Sequence, residues 1–597
     1  MTHLCYVYIY KYSNLSNIEL CIDPHYKYDY NPVKNELKIT SQNVLPEDFW
    51  GNGIYSLTGI FGNNGAGKTN SIRFLLEAVV HGSNINIGNG FVVYKDKNEL
   101  KIHCHNIEKV PTFTIDNCIK QDSMPDSIQD MNPFFYSGCF NPNSSYDDMT
   151  TNQFGDMYNA SIGFRLKDDF EQYSNVDRDS NRSINTYMES YISQNNYRIC
   201  KLLTDDGLRV KIKNFKIPRY ILFFPNRGGY NRFKYDATVS QTVRGAIGAY
   251  IDRNINVNDI DEQIFAQFIH HCLLNCLADN LNFSDSNLLR NWYSVFNPED
   301  KLLPQFKSFV ENEQSNEVRE CLYKVFDVLT RLHDYSHNMS GVLYLDLENE
   351  IDREKIFELM ELAQNNNIFL TARFFDMYYS HEINRETLSS SGEQELLNLF
   401  SLINYAVNIR PNKYDKDKVP QLLVLDEAEL GFHPEWQRNY ISMLVDFVNS
   451  MSNEHKFQII LTSHSPILLS DIPLCCCNYL KYDEEKKITY NVGNKQHNTF
   501  ASNVFYLYRD SFFLENGLIG CFAENKLNKL KEEIEKGTRS ANGCQEYVEQ
   551  MINLIGDKRL QMYFRILLEK SLEKNPKSLI AYYEDKIEKL RKKEKNE

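Results

Sequence analysis

Eight consecutive residues, Gly62, Asn63, Asn64, Gly65, Ala66, Gly67, Lys68 and Thr69, satisfy the pattern G-x-x-x-x-G-K-[ST]. Glycines at this spacing let successive backbone N–H groups curl around an anion, the lysine reaches terminal phosphates, and the threonine hydroxyl can face Mg2+. The pattern predicts a cradle for a nucleoside triphosphate. Such a loop must join a strand to a helix. Ile54–Phe61 has strand character before it, and Ile72, Leu75, Leu76 and Val79 give the apolar stripe of a helix after it. The positive end of that helix would add to the hold on the phosphates.

The carboxylates that this chemistry needs lie far downstream. Residues 421–425 form an apolar strand that ends in Asp426 and Glu427. Asp426 at the strand tip suits the Mg2+ shell, and Glu427 beside it suits orienting or deprotonating the attacking water. A third apolar strand, from Phe457 to Thr462, ends in Ser463, His464, Ser465 and Pro466, which would deliver the His464 imidazole to the terminal phosphate. Between loop and carboxylates lies Leu388-Ser-Ser-Ser-Gly-Glu-Gln394, followed by Leu396, Leu397, Phe400, Ile403 and Val407 at helical spacing. Ser390 and Glu393 have capping-box spacing, Ser391 opens the helix, and Gly392 leaves room for a phosphate against bare N–H groups.

In this order the four segments resemble the Walker A, signature, Walker B and histidine-switch motifs of ABC-type ATPases. The resemblance implies an α/β fold: an ABC-type P-loop head, a mixed sheet with flanking helices, using ATP and Mg2+. It also implies that Ser390, Ser391, Gly392 and Glu393 complete the nucleotide site of an opposite subunit, so that two heads sandwich ATP in a dimer or higher oligomer. Residues Asp426–Gln437 and Thr462–Pro473 further resemble soluble ATPases of the OLD (overcoming lysogenization defect) family. Thr499–Val504 and Asp510–Gly520 resemble ATPase subunits of Septu-type and retron-associated anti-phage defence systems. These resemblances imply a sensor or regulatory ATPase that controls a separate effector nuclease. The alternative is a DNA-processing or DNA-clamping ATPase of the OLD or repair type that binds nucleic acid itself. Ala428 departs from the pattern, because relatives carry proline there. Residues 474–597 offer neither the Glu nor the Asp-x-Asp of a Toprim nuclease in convincing form, so any cutting is expected of a separate subunit.

The elements that position these motifs must be drawn from 597 residues, enough for several domains, with 42% hydrophobic content to build their cores. Lys68 and Ser390 are 322 positions apart, far more than a head needs, so an inserted domain is expected. The boundaries read as 1–140 for the N-terminal part of the head, 141–365 for a large, mostly helical α/β insertion, 366–500 for the C-terminal part of the head, and 501–597 for a helical C-terminal region. Phe91–Tyr94, Leu100–His103, Phe134–Ser137 and Val342–Asp346 read as strands, 237–335 and 352–364 as helical. Asn141–Asp148 and Ser174–Asn185 read as loops. Gln121 is a candidate for the Q-loop glutamine.

No apolar run reaches the roughly 18–20 residues of a membrane helix, and Met1–Tyr10 alternates like a strand without a basic flank, so a cytoplasmic protein is expected. The 14 cysteines are too sparse for a disulfide framework. A net charge of −15 argues against a surface coated for nucleic acid. Arg198–Lys234 is the exception, with ten basic residues against Asp205 and Asp206, and Arg209, Lys211 and Lys213 alternating as on one strand face. That stretch is either a path for DNA or RNA, or a face that is solvated or docked on acidic protein. Four clusters offer metal-ligating residue types: His103 with His105 on a strand face, His333 with His337 on a helix face, Cys475–Cys477, and Cys272 with Cys276. Neither histidine pair has a third ligand in sequence, and the cysteines read as buried thiols.

Overall fold

The computed structural model describes residues 2–46, 48–80, 88–96, 99–107, 109–115, 118–120, 133–138, 157–173, 184–209, 215–225, 291–292, 294–295, 297, 300–339, 342–365, 375–384, 389–409, 421–451, 456–492, 498–510, 521–536, 542–573 and 576–594. Gln121, Lys211, Lys213, Arg227, Arg232, Lys234, Cys272 and Cys276 lie outside the described residues. The chain divides into two compact units, residues 1–513 and 514–597.

In the first unit the strands are β1 (His3–Tyr12), β2 (Leu15–Cys21), β3 (Tyr26–Asn31), β4 (Glu36–Ser41), β5 (Ile54–Gly62), β6 (Asn89–Asp96), β7 (Glu99–His105), β8 (Thr112–Ile115), β9 (Cys118–Lys120) and β10 (Pro133–Ser137). They continue with β11 (Tyr158–Asn159), β12 (Tyr220–Pro225), β13 (His337–Met339), β14 (Val342–Asp346), β15 (Phe375–Ser380), β16 (Leu422–Asp426), β17 (Phe457–Ser463), β18 (Cys477–Asp483) and β19 (Ile488–Asn491). One sheet has eleven strands in the order β11-β10-β16-β17-β5-β18-β19-β2-β1-β6-β7. From β11 to β18 every neighbouring pair is parallel. These strands read as continuous apolar runs, as expected of a sheet covered on both faces. The Lys68–Val79 helix packs on one face through Ile72, Phe74, Leu75 and Leu76, with Val424 and Ile460 beneath. The opposite face, with Leu423, Leu425, Ile459 and Leu461, is covered by the Ser391–Asn404 and Pro434–Met451 helices, where Phe400 stacks on Phe447 at 4.3 Å.

The other end of this sheet is antiparallel. There β1, β6 and β7 bury Tyr6, Tyr8, Phe91, Val93 and Ile102 against Tyr30, Leu37, Ile39 and Phe113 of a four-stranded sheet, β3-β4-β8-β9. The architecture is a mixed α/β fold of the kind a P-loop ATPase head requires. A third sheet, β13-β14-β12-β15, pairs β12 with β15, so it joins residues on both sides of position 365. Helices at Ile184–Leu203, Leu302–Glu311, Asn316–Tyr335 and Glu350–Asn365 accompany it.

Two expectations are corrected. His333 and His337 do not share a helix face, because the Asn316–Tyr335 helix stops at Ser336 and His337 opens β13. Arg209 is not in a strand but ends a short helix, Asp206–Arg209. In the second unit the helices Cys521–Glu535, Asn542–Leu554, Lys558–Glu573 and Pro576–Glu594 share a small core of Leu530, Ile534, Val548, Ile552, Phe564 and Leu568.

Candidate active site

The sheet order decides what can meet. β17 lies between β5 and β16, and all three run parallel, so the phosphate loop after β5, His464 after β17 and Glu427 after β16 emerge at one sheet edge. Carboxyl ends of parallel strands are where open α/β sheets place ligands.

Gly67 caps the Lys68–Val79 helix at φ +83°, in the left-handed region that glycine enters without a Cβ penalty. A Cβ on Gly67 would stand 2.6 Å from Leu15 Cδ2, whereas one on Gly65 would meet nothing within 4 Å. The loop is therefore packed at Gly67 and open at Gly65. Asn14, in the β1–β2 turn, buttresses it by donating to the Gly65 carbonyl at 3.1 Å, while its own oxygen accepts from Asn70 at 2.8 Å. Nothing in the spacing of the motif pointed to Asn14, which comes from a turn over fifty residues away.

Lys68 is only 4% exposed, and burial pulls its amino group down to about 8. Its Nζ donates to the carbonyls of Gly62 and Asn63 at 3.2 and 3.4 Å, and stands 2.5 Å from His464 Nε2 and 4.0 Å from Glu427 Oε1. His464 Nε2 in turn lies 3.1 Å from Glu427 Oε1, and this hydrogen bond, more than any other influence, holds the Glu427 carboxyl below its usual range. Lysine, histidine and glutamate thus converge on one point although 359 positions separate Lys68 from Glu427.

Behind them, Thr69 Oγ1 lies 3.4 Å from Asp426 Oδ1, which also accepts a 2.6 Å bond from Thr462 Oγ1. Burial raises the Asp426 carboxyl to about 6. A buried acid beside a hydroxyl suits a divalent cation, whose charge would restore the carboxylate. The desolvated Lys68 amino group sits in the loop at the head of a helix, with Thr69 and Asp426 side by side behind it, so the residues present fit nucleotide with Mg2+.

The backbone at Glu427 is strained. Its φ of +48° costs roughly 1–2 kcal/mol for a residue with a Cβ. The conformation is held by its N–H, shared between Thr462 O at 3.2 Å and Thr462 Oγ1 at 3.1 Å, and by Gly138 N–H on the Asp426 carbonyl at 2.9 Å. A Cβ at Gly138 would approach the Glu427 carbonyl oxygen to 2.3 Å. His464 is fixed from both sides: Ser463 donates to Glu429, and Ser465 donates to Gln437 at 2.8 Å. Glu429 is buried, and that burial lifts its carboxyl to about 7. Gly138, Glu429, Thr462, Ser463 and Ser465 carry no role in the motif reading; the last four lie beside the Walker B and histidine motifs, while Gly138 follows β10, the strand paired with β16.

The signature segment is built as the spacing predicts. Ser390 accepts from the Glu393 N–H while the Glu393 carboxylate accepts from the Ser390 N–H at 2.9 Å, a complete capping box. Glu393 Oε1 also lies 3.1 Å from His381 Nε2. Ser390 and Ser391 are exposed at the helix start, and a Cβ on Gly392 would touch Trp436 Cδ1 at 3.4 Å. Within one chain these residues bond to one another and pack on the helix after Walker B.

Of the basic stretch, Arg198 is buried and paired with Asp169, Lys201 pairs with Glu361, and Arg219 pairs with Asp346 and Glu348. His103, Cys104 and His105 all lie in β7, Cys475 and Cys476 in a 3-10 turn, and Cys477 at the start of β18.

A phosphate loop, a buried aspartate beside its threonine, and a glutamate and histidine from the two neighbouring parallel strands define the nucleotide-binding domain of a P-loop ATPase. A family profile described as "AAA domain, putative AbiEii toxin, Type IV TA system" matches residues 284–470 and supports that class. The matched segment contains Ser390–Glu393, Asp426, Glu427 and His464, while residues 62–69 precede it. No curated protein matches the chain. Among the described residues no helix is long and apolar enough to cross a membrane.

Proposed function

We propose that the chain binds ATP on Gly62–Thr69, hydrolyses it with Glu427 as the group that orients and deprotonates water, and uses this cycle as the sensor or regulatory subunit of a bacterial anti-phage defence complex, controlling a separate effector nuclease. The observation that carries the enzymatic part is the convergence of Lys68, Glu427 and His464 at one sheet edge. Glu427 already accepts a hydrogen bond and stays ionised, as a general base must. His464 is placed to sense the terminal phosphate and to hold Glu427 in line. Mg2+ held by Thr69 and Asp426 would neutralise charge on the phosphates.

The helix start at Ser390 and Ser391, which is exposed to solvent, supports completion of the site by a second head. The regulatory reading draws on Arg198, Lys201 and Arg219 of the basic stretch, which pair with carboxylates of the same chain, while Lys216 is exposed. The description of the matching family, which names a toxin and a Type IV TA system, is compatible with a chain that works inside a multi-part module. Lys68→Ala tests the site: nucleotide binding, followed by equilibrium dialysis with ATP, is expected to be lost. Unchanged ATP binding would remove the phosphate loop from the account.

A further inference from the structure

A second constellation lies at the far end of β5. Tyr55 is seven positions before Gly62, so it sits roughly 20 Å from the phosphate loop at the rise of an extended strand. Its hydroxyl donates to Asp23 Oδ2 at 2.8 Å. Around this carboxylate gather His3 and Cys5, which share a face of β1 two residues apart, and the ligand atoms of His3, Cys5 and Asp23 all lie within 4.8 Å of one another. All three residues are buried, at 5%, 0% and 0% exposure.

Hydrogen bonding accounts for Asp23 but leaves His3 Nε2 unpaired and gives Cys5 Sγ only long contacts, to the His3 carbonyl at 3.8 Å and to Asp23. Asp23 Oδ1 is satisfied by the His25 N–H at 2.9 Å and by His25 Nδ1 at 2.8 Å. Asp23 Oδ2 has Tyr55 and then only long neighbours, His3 Nε2 at 3.7 Å and Cys5 Sγ at 4.0 Å. His3 Nε2 is buried with no hydrogen-bond partner. Separations of this size are poor hydrogen bonds but close to the edges of a coordination tetrahedron, about 3.3–3.7 Å for ligand bonds of 2.0–2.3 Å.

We propose that His3 Nε2, Cys5 Sγ and Asp23 Oδ2 form a binding site for a zinc-class divalent transition-metal ion. The donor set is one imidazole nitrogen, one thiolate and one carboxylate, which suits Zn2+ and disfavours Mg2+ or Ca2+. On binding, the Cys5 thiol gives its proton to solvent and the sulfur–metal bond forms. A dication, a thiolate and a carboxylate then sum to zero charge, so the buried site carries no net charge. Burial keeps the His3 imidazole neutral, the form in which it ligates. His25 and Tyr55 supply the outer hydrogen bonds that orient a ligating carboxylate.

The frame is rigid before any ion arrives. The Cys5 carbonyl accepts from both Ile22 and Asp23 N–H groups at 2.9 Å, Thr58 of β5 donates to the Ile22 carbonyl at 2.8 Å, and Asn478 of β18 clamps Cys21 through two 2.9 Å bonds. The ion would therefore brace β1 and the segment after β2 against the strand that carries the phosphate loop, without entering the hydrolytic site.

Co2+ titrated into the chelator-treated full chain is the test, read by the thiolate-to-Co2+ charge-transfer band. One equivalent should develop the band in the wild type and in Asp426→Asn, which removes the carboxylate of the nucleotide site, and the band should vanish in Cys5→Ser. His3→Gln keeps the thiolate and should weaken Co2+ at least about tenfold, which covers the case of a Cys5→Ser protein that does not fold. No band in the wild type, an undiminished band in Cys5→Ser, or unchanged affinity in His3→Gln would overturn the proposal.

Discussion

Single residues set the electrostatics of the nucleotide site, and two of them carry predictions. Gly138 has no side chain to offer, yet it is the spacer beneath the strained Glu427 carbonyl, where a methyl group would press to 2.3 Å. Gly138→Ala is expected to lower ATP turnover by about tenfold or more, as displacement of a general base does, while ATP affinity stays within about twofold. Isothermal binding beside steady-state turnover separates the two effects; an equal loss of both would assign Gly138 to binding. Glu429 faces Asp426, Glu427, Tyr440 and the Lys68 amino group, and burial raises its carboxyl from 4.5 to about 7. A raised carboxyl contributes stability that is fully present below the ordinary value and lost as pH rises through about 7. Glu429→Gln, which still accepts from Ser463, should therefore gain thermal stability relative to wild type at pH 8 and little at pH 4.5, with chelator present. Melting curves across that range would contradict the assignment if the difference did not grow with pH.

At the scale of elements, the sequence marked several strands of the main sheet, both beside the site and at its far edge. The runs Phe91–Tyr94, Leu100–His103 and Phe134–Ser137 lie in β6, β7 and β10, because β-branched and aromatic residues bounded by polar ones leave little alternative. Ser390 and Glu393 give their capping box as spaced. Ser390→Ala should cost about 1 kcal/mol of helix stability, seen as a lower melting temperature, and expose whether the helix start also supports turnover. What was illegible depended on tertiary pairing. β13 is three exposed residues, β11 is two, and β18 begins inside a cysteine run, so none has a periodic pattern. His333 and His337 matched a helical spacing of four, but Ser336 caps the helix by donating its N–H to the Leu332 carbonyl, and the chain turns into β13. Glu429, Gly138 and Asn14 act through contacts that spacing within a motif does not encode.

For the whole molecule, the central question is what nucleotide does to association. The Ser391–Asn404 helix presents its start to solvent, and a phosphate from a second head would satisfy it. Glu427→Gln with ATP and Mg2+ is expected to run as a dimer or larger assembly in light scattering, and as a smaller species once nucleotide is removed. A strict monomer with ATP demonstrably bound would contradict the sandwich. The basic stretch divides the regulatory and clamping readings. Arg219, exposed and paired with Asp346 and Glu348, is expected to tolerate Arg219→Glu with no change in DNA or RNA affinity, and any nucleic-acid binding that falls steeply with salt in wild type and weakens in the variant would favour the clamp.

The most direct test of the account is ATP turnover by the Glu427→Gln protein, measured alongside its ATP binding. Glu427 stands 3.1 Å from His464 and 4.0 Å from Lys68 on a strained backbone held by Thr462 and Gly138. The account predicts that the variant keeps ATP and loses turnover by roughly 10²-fold or more, the usual loss when a positioned base is removed. Turnover equal to the wild type, with ATP bound, would contradict it.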